Sequence, residues 1–385
     1  MSITLDGFFD KPQDYFVKSK PDRPVYFFSP ARLQSAASEF QSGFEGLVTY
    51  AVKANDGVEV LTALMRAGIN AFDVASLVEM GAVRRHNPRA VLQYHNPVRS
   101  MDEIEQAKAF GISSWAIDDF GELDKLGSLV PKTEIAIRLK LPVRGAAYDF
   151  GEKFGASPEL AKALLQEVAK RGHIASMTFH PGTQCRDPKA WASYIQAAAD
   201  VTAAANVPLQ RLNIGGGFPS WREAAAPELL EIFRVIDQTR NCYFTNLAGH
   251  RNAPILVCEP SRAMVGDAFA LGVRVKSLRS DGSVVLNDGV YGALAEWRDM
   301  RVPDETRMQL FDPTGQERRG AGINRRVFGP TCDSLDRVSP DINLPSDMKD
   351  GDYLLIQGMG AYSAALACRF NGYGNSDRVF CLDLS

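Results

Sequence analysis

The sequence predicts an α/β fold, a closed (β/α)8 barrel followed by a mostly β domain, and three observations predict it. Eight short apolar runs alternate with helical stretches across residues 22–266, polar residues gather at the C-terminal ends of those runs, and beyond about residue 266 the texture changes to β runs and turns. The 385 residues are enough for a barrel of about 250 residues plus a smaller domain.

The apolar runs are "LVTYAVK", "AFDVAS", "AVLQYHN", "SSWAIDD", "EIAIRLK", "SMTFHPG", "RLNIGGG" and "ILVCEPSR". Between them lie helical segments such as "VEVLTALMRAG", "MDEIEQAKAFG", "SPELAKALLQEVAKRG" and "APELLEIFRVIDQTR". Alternation of this kind belongs to a parallel sheet wrapped by helices, and eight strands favour closure over an open doubly wound sheet. Lys53, Asp73, His95 and Asn96, Asp118, Arg138, His180, Gly215 to Gly217 and Glu259 all fall at or near the C-terminal end of a run, the end that carries the active site in such barrels. One lysine closing one strand is ordinarily a solvated terminus. Polar groups at strand after strand are not explained by packing.

After the barrel, "ALGVRVKSLRSDGSVVLNDGVYG" and "GDYLLIQGMGAYSAA" read as β segments, so residues 267–385, joined by 1–21, are expected to form the second domain. The polar stretch from Arg301 to Arg326 reads as a long loop or an irregular hairpin.

A net charge of −3 and a pI near 6.0, with no long run of Lys or Arg, give no general attraction to nucleic acid or anionic lipid. No apolar run approaches the ~20 residues of a membrane helix, and "MSITLDGFFDKPQDY" is acidic where a signal peptide is basic. A cytoplasmic location is expected. The six cysteines are scattered without CxxC pairs or interleaved histidines, which speaks against a metal centre or a disulfide framework.

Taken in order, "YAVKAN", "FDVAS", "HPGTQC", "GGGFP", "EPSR", "GPTCDSLD" and "GAYSAA…FNGY" resemble the fold type III pyridoxal-phosphate decarboxylases, the family of ornithine, lysine, diaminopimelate and arginine decarboxylases. The resemblance covers nearly the whole chain and is nearest to the ornithine and lysine enzymes. It implies a TIM-like, alanine racemase-like barrel, pyridoxal 5'-phosphate as cofactor, and a homodimer with shared active sites.

On the matched positions the resemblance implies that Lys53 binds the cofactor covalently. Gly215, Gly216 and Gly217, Arg262 and Thr183 would hold its phosphate. A glycine run lets the backbone approach an anion closely. The family more often has Gly where this chain has Ser261, a departure that could shift the local turn. Glu259 would face the pyridine nitrogen, where a carboxylate favours the protonated ring and its role as an electron sink. Alanine racemases place an arginine there, so Glu259 argues for decarboxylation. His180 would stack on the cofactor ring, while Asp73, Arg138 and the nearby Glu79 would support the cofactor and its lysine. Tyr362 would contact the phosphate. Cys332 would return a proton to the α-carbon, and Asp333 would hold the distal amine of the substrate. Phe370, Tyr291 and Asp299 would complete the substrate pocket.

The expected reaction is decarboxylation of a basic amino acid, ornithine or lysine. In "ALAEWRDM", Glu296, Arg298 and Asp299 offer no clean register with the second acidic residue of ornithine enzymes. An arginine there could accept a carboxylate, so a substituted diamino acid such as a siderophore precursor, or diaminopimelate, is the alternative. A racemase or a non-catalytic regulatory homologue is disfavoured by the joint presence of Lys53, Glu259 and Cys332.

Overall fold

The computed structural model describes residues 8–127, 129–142, 153–222, 225–245, 253–298, 300 and 303–385. These fall into two compact units, one of Ala37–Pro219 and Pro227–Arg262, the other of Met1–Ala36, Ser220–Ala226 and Ala263–Ser385.

The first unit is the barrel. Its strands are Leu47–Val48 with Tyr50–Ala51, Ala71–Asp73, Val91–Tyr94, Ile112–Ile117, Glu134–Arg138, Ile174–Thr178, Arg211–Asn213 and Ile255–Cys258. Each overlaps an apolar run named above, Ile112–Ile117 and Ile174–Thr178 starting one and two residues ahead of theirs, and every pairing is parallel. The ring closes because the first strand is shared: Leu47 and Val48 register with Val257 and Cys258, whereas Tyr50 and Ala51 register with Phe72 and Asp73. Its break at Thr49 has a local cause, since Thr49 sends both its N–H and its hydroxyl to the Cys258 carbonyl, each at 2.9 Å.

Helices follow where the periodicity predicts them. Val58–Arg66, Met101–Lys108, Pro158–Lys170 and Leu229–Phe244 form, as do Leu77–His86 and Lys189–Ala205. Ser76, Ser100 and Ser157 begin three of them by accepting the backbone N–H of the third residue on, which satisfies a donor the helix cannot.

The second unit is a mixed sheet in which Val25–Phe28 runs between Phe269–Leu278 (antiparallel) and Asp377–Cys381 (parallel). All four residues of Val25–Phe28 are buried, as befits an inner strand. The helix Pro12–Ser19 covers this sheet with Phe16, which stacks on Tyr353 at 4.5 Å between ring centroids and meets Phe27 edge-on at 5.3 Å. Of the stretch Arg301–Arg326, the described residues 303–326 are more regular than the sequence suggests. Met308–Phe311 pairs antiparallel with Tyr353–Gln357, and Gly322–Phe328 pairs with Arg337–Pro345. Short apolar content, only Met308, Leu310 and Phe311 in the first of these strands, hid it among polar neighbours. No helix among the described residues is long and apolar enough to cross a membrane.

Candidate active site

Lys53 follows the first barrel strand in the single turn Val52–Ala54, and it is exposed. The Tyr50 hydroxyl, donating to the Asn55 carbonyl at 3.0 Å, pins that turn from below. Around the lysine stand the charges of Asp73, Glu79 and Glu259 and the ring of His180.

Glu259 is buried immediately after its strand. One carboxylate oxygen accepts from the Asn213 amide at 2.6 Å and lies 3.2 Å from His95 Nδ1. Asn213 cannot turn over, because its own oxygen accepts the Gly215 N–H at 2.9 Å. Burial alone would push Glu259 up, but His95, the Lys53 charge and Asn213 outweigh it and hold the carboxyl well below its usual range. Asp73 goes the other way, raised by burial and by Glu259. One Asp73 oxygen is buried with no hydrogen-bond partner. The mouth therefore carries one carboxylate fixed as an anion beside one that tends to keep its proton.

His180 is neutral. Burial, with the Lys53 and Arg138 charges, pushes it down to about 3, and its Nδ1 accepts the Gly182 N–H at 3.1 Å. Its Nε2 faces Gly216, where an added Cβ would sit 3.3 Å from that nitrogen and 2.7 Å from the Glu259 carbonyl. Gly215 and Gly217 have φ of +68° and +82°, and side chains on them would run into the carbonyls of Phe179 and Gly182. The glycine turn is stitched on both sides, by Glu259 N–H to the Gly215 carbonyl and Cys185 N–H to the Gly217 carbonyl, each 2.9 Å. Half-buried Thr183 stands in the loop so attached. Ser261 opens the helix Ser261–Val265 with its N–H on the Glu259 carbonyl at 2.7 Å, and Arg262 after it is buried. Arg138 ends its strand within reach of the Glu259, Asp118 and Asp73 charges, 5.2 Å from the centre of the Phe154 ring.

A second cluster lies in the mixed-sheet unit. The Tyr291 hydroxyl donates to Asp333 at 2.5 Å, and the Leu335 N–H donates to the other Asp333 oxygen at 2.9 Å. Together they hold Asp333 below the usual carboxylate range. Phe370 packs 4.8 Å from the Tyr291 ring. Cys332 presents both its N–H and its thiol to the Asn371 side-chain oxygen, at 3.1 and 3.2 Å. Tyr362, with φ of +54°, lies in the loop after Tyr353–Gln357. Glu296 is buried in an ion pair with Arg222 at 3.0 Å, which gives it a structural role. Asp299 lies outside the described residues.

Sequence reasoning placed His95 at a strand end without a role, and it missed Asn213 and Asn371 as partners of Glu259 and Cys332. A polar residue at the end of a barrel strand was the available signal for His95 and Asn213; nothing comparable marked Asn371.

The model of the pyridoxal-dependent decarboxylase pyridoxal-binding domain matches residues 30–266. The chain is 29% identical to mouse ornithine decarboxylase over 346 residues, 84% of this chain and 73% of that protein. It is 28% identical to the lysine/ornithine decarboxylase of Selenomonas ruminantium over 337 residues, 85% of this chain and 81% of that one. The crystal structure of lysine decarboxylase from Selenomonas ruminantium superposes with a TM-score of 0.81 at 25% identity, covering 96% of this chain and 94% of the other. With more than half its length matched, the chain belongs to the pyridoxal-dependent decarboxylases. It is an enzyme of that class, and its cofactor is pyridoxal phosphate.

The residues present fit that group. The glycine turn forms a cradle that any side chain would fill, Arg262 adds a cation, Glu259 offers an anion, and Lys53 an amine. Gly217→Ala tests the cradle. Forcing an L-residue into the left-handed region costs about 1–2 kcal/mol before any clash. Apo-protein melting should fall, and cofactor retained after dialysis should drop roughly tenfold or more, about 1.4 kcal/mol per factor of ten.

Proposed function

We propose that this enzyme decarboxylates a basic L-amino acid, ornithine or lysine, releasing carbon dioxide and the diamine putrescine or cadaverine. The observation that carries the reading is Asp333, a carboxylate held ionised by Tyr291 and Leu335 beside the thiol of Cys332. An anion so placed suits a cationic distal amine, and the neighbouring thiol carries a hydrogen that suits a proton donor.

Bound pyridoxal phosphate supplies an electron sink for the carbanion left when carbon dioxide departs. Lys53 would hold the cofactor through its amine. Glu259, kept anionic by His95 and Asn213, would stabilise a protonated ring nitrogen on the cofactor. His180, neutral and with Nε2 toward Gly216, would support the cofactor ring without adding charge. Cys332 delivers one proton to the α-carbon, so that the carboxylate lost as carbon dioxide is replaced by hydrogen.

The resemblance further supports a homodimer in which Cys332 and Asp333 serve the barrel of the partner subunit. Leu335, near them in sequence, Phe370, packed on the Tyr291 ring, and Leu366 are 76%, 42% and 49% exposed, apolar side chains that association would cover. Asp333→Ala should lower kcat/KM for ornithine and lysine roughly 10–150-fold, the range for losing a charged hydrogen bond to the substrate. Mixed with Lys53→Ala protomers, it should regain activity, since one composite site per mixed dimer is intact. Turnover assays of the separate and mixed variants check both points.

Arg298 supports a second reading. It is exposed, anchored by Nε to the Ala295 carbonyl at 3.2 Å, and its charge acts on Tyr291. A substituted diamino acid carrying a distal carboxylate would suit it. Arg298→Ala with unchanged turnover of ornithine and of carboxylated substrates removes this alternative. The deciding experiment is carbon dioxide release, with amine identified by mass, across ornithine, lysine, arginine, diaminopimelate and diaminobutyrate.

A further inference from the structure

Behind Glu259 a file of buried polar groups runs down the inside of the barrel. His95 reaches Glu259 through Nδ1 at 3.2 Å and Ser114 Oγ through Nε2 at 3.1 Å. Ser114 Oγ lies 3.4 Å from a Glu134 oxygen, and Arg211 pairs with the other Glu134 oxygen at 3.2 Å. Glu134 and Arg211 are the first residues of their strands, at the closed end of the barrel, whereas Glu259 stands at the mouth. His95, Ser114, Glu134 and Glu259 are all buried. A buried polar file costs several kcal/mol unless each member is satisfied, so its arrangement calls for a role.

The hydrogen-bond directions follow from the partners. A carboxylate only accepts, so His95 Nδ1 bonds Glu259 only when it carries a proton; without one it would accept from Asn213 Nδ2, 3.0 Å away. Ser114 can serve either form of the ring. It donates to Nε2 when the imidazole is neutral, or accepts from Nε2–H and passes its own proton to Glu134 when the ring is charged. Both arrangements leave Nδ1–H aimed at Glu259. The tautomer of a histidine is set by what its other nitrogen meets, and here that is Ser114.

We propose that His95 is a positioning residue for the decarboxylation, held by Ser114 with its Nδ1–H on Glu259 so that it fixes Glu259 in place and in its ionised state. The inference rests on the cofactor reading for its consequence but not for its geometry. The groups facing Glu259 are His95, Asn213, Lys53, Asp73, Arg138 and His180. Lys53 is drawn into cofactor binding, which leaves His95 and Asn213 as the two donors dedicated to the carboxylate. Removing His95 leaves burial less opposed, the direction that protonates Glu259.

Covalent geometry supplies a discriminating pair of variants. The side-chain nitrogen of asparagine, like His95 Nδ1, is bonded to Cγ, whereas that of glutamine lies one bond further out, near the place of Nε2. His95→Gln should weaken pyridoxal phosphate binding at least about tenfold, lower kcat more than it changes KM, and move the acid limb of kcat upward. His95→Asn should recover most of that loss. In 15N spectra of the apo protein at pH 7, His95 Nδ1 should carry the proton, and Ser114→Ala should move it to Nε2. An Nε2–H tautomer in the wild type, or equal cofactor affinity and acid limbs in the Gln and Asn variants, overturns the proposal. The spectra and cofactor titration need no substrate, so failure of the ornithine or lysine reading leaves this test intact.

Discussion

Replacing Lys53 with alanine should lower carbon dioxide release at least on the order of 10²–10⁴-fold, the span lost with a positioned proton-transfer group, and should free the cofactor to dialyse away. Lys53 leaves the barrel wall in the turn Val52–Ala54, whose position is fixed independently of the lysine. Tyr50 bonds the Asn55 carbonyl, and Thr49 makes two bonds to the Cys258 carbonyl, just before Glu259. The substitution therefore removes an exposed side chain from an intact frame, and melting of the apo protein should move little, by about 0.5 kcal/mol or less, whereas the cofactor should no longer raise it as it does in the wild type. Loss of activity with an unchanged apo melting curve assigns the effect to chemistry. Asp73, Glu79 and Glu259 also lose their neighbouring cation, so a cation supplied in solution, such as methylamine, should restore part of the rate.

Glu259→Gln should cost a similar factor, on the order of 10²–10⁴, for a different reason. The amide has nearly the same shape but no charge, so the ring nitrogen loses the anion that favours its protonation. The local hydrogen bonds are also set for an acceptor, with Asn213 Nδ2 and His95 Nδ1 both aimed at one oxygen. A glutamine can meet them only by presenting its carbonyl oxygen there. Cofactor should bind more weakly but, at saturating concentration, still through Lys53, so a spectrum with cofactor bound and kcat collapsed distinguishes this variant from Lys53→Ala.

Much of the barrel was legible because its strands are short, continuous apolar runs ended by polar groups, a pattern that buried parallel strands require. The sheet unit was harder. Met308–Phe311 is an ordinary strand hidden in a polar segment, and Val25–Phe28 sits among strands more than 200 residues away in sequence. At the site, Lys53, Glu259 and the glycine turn were legible from the order of motifs. Their control was not, because His95 reaches Glu259 across 164 residues and Asn213 across 46, distances over which local sequence carries no pairing signal. Glu296 shows the converse. It was an acid of suitable type in a suggestive segment, and its partner Arg222 could be identified only in three dimensions.

The central claim is tested most directly by incubating purified protein and pyridoxal phosphate with ornithine and with lysine, and measuring carbon dioxide against amine product by mass. The account predicts equimolar carbon dioxide and putrescine or cadaverine, absent with Lys53→Ala. Cofactor bound through Lys53 with no carbon dioxide from either amino acid, or inversion of the α-carbon without carbon dioxide, would contradict it.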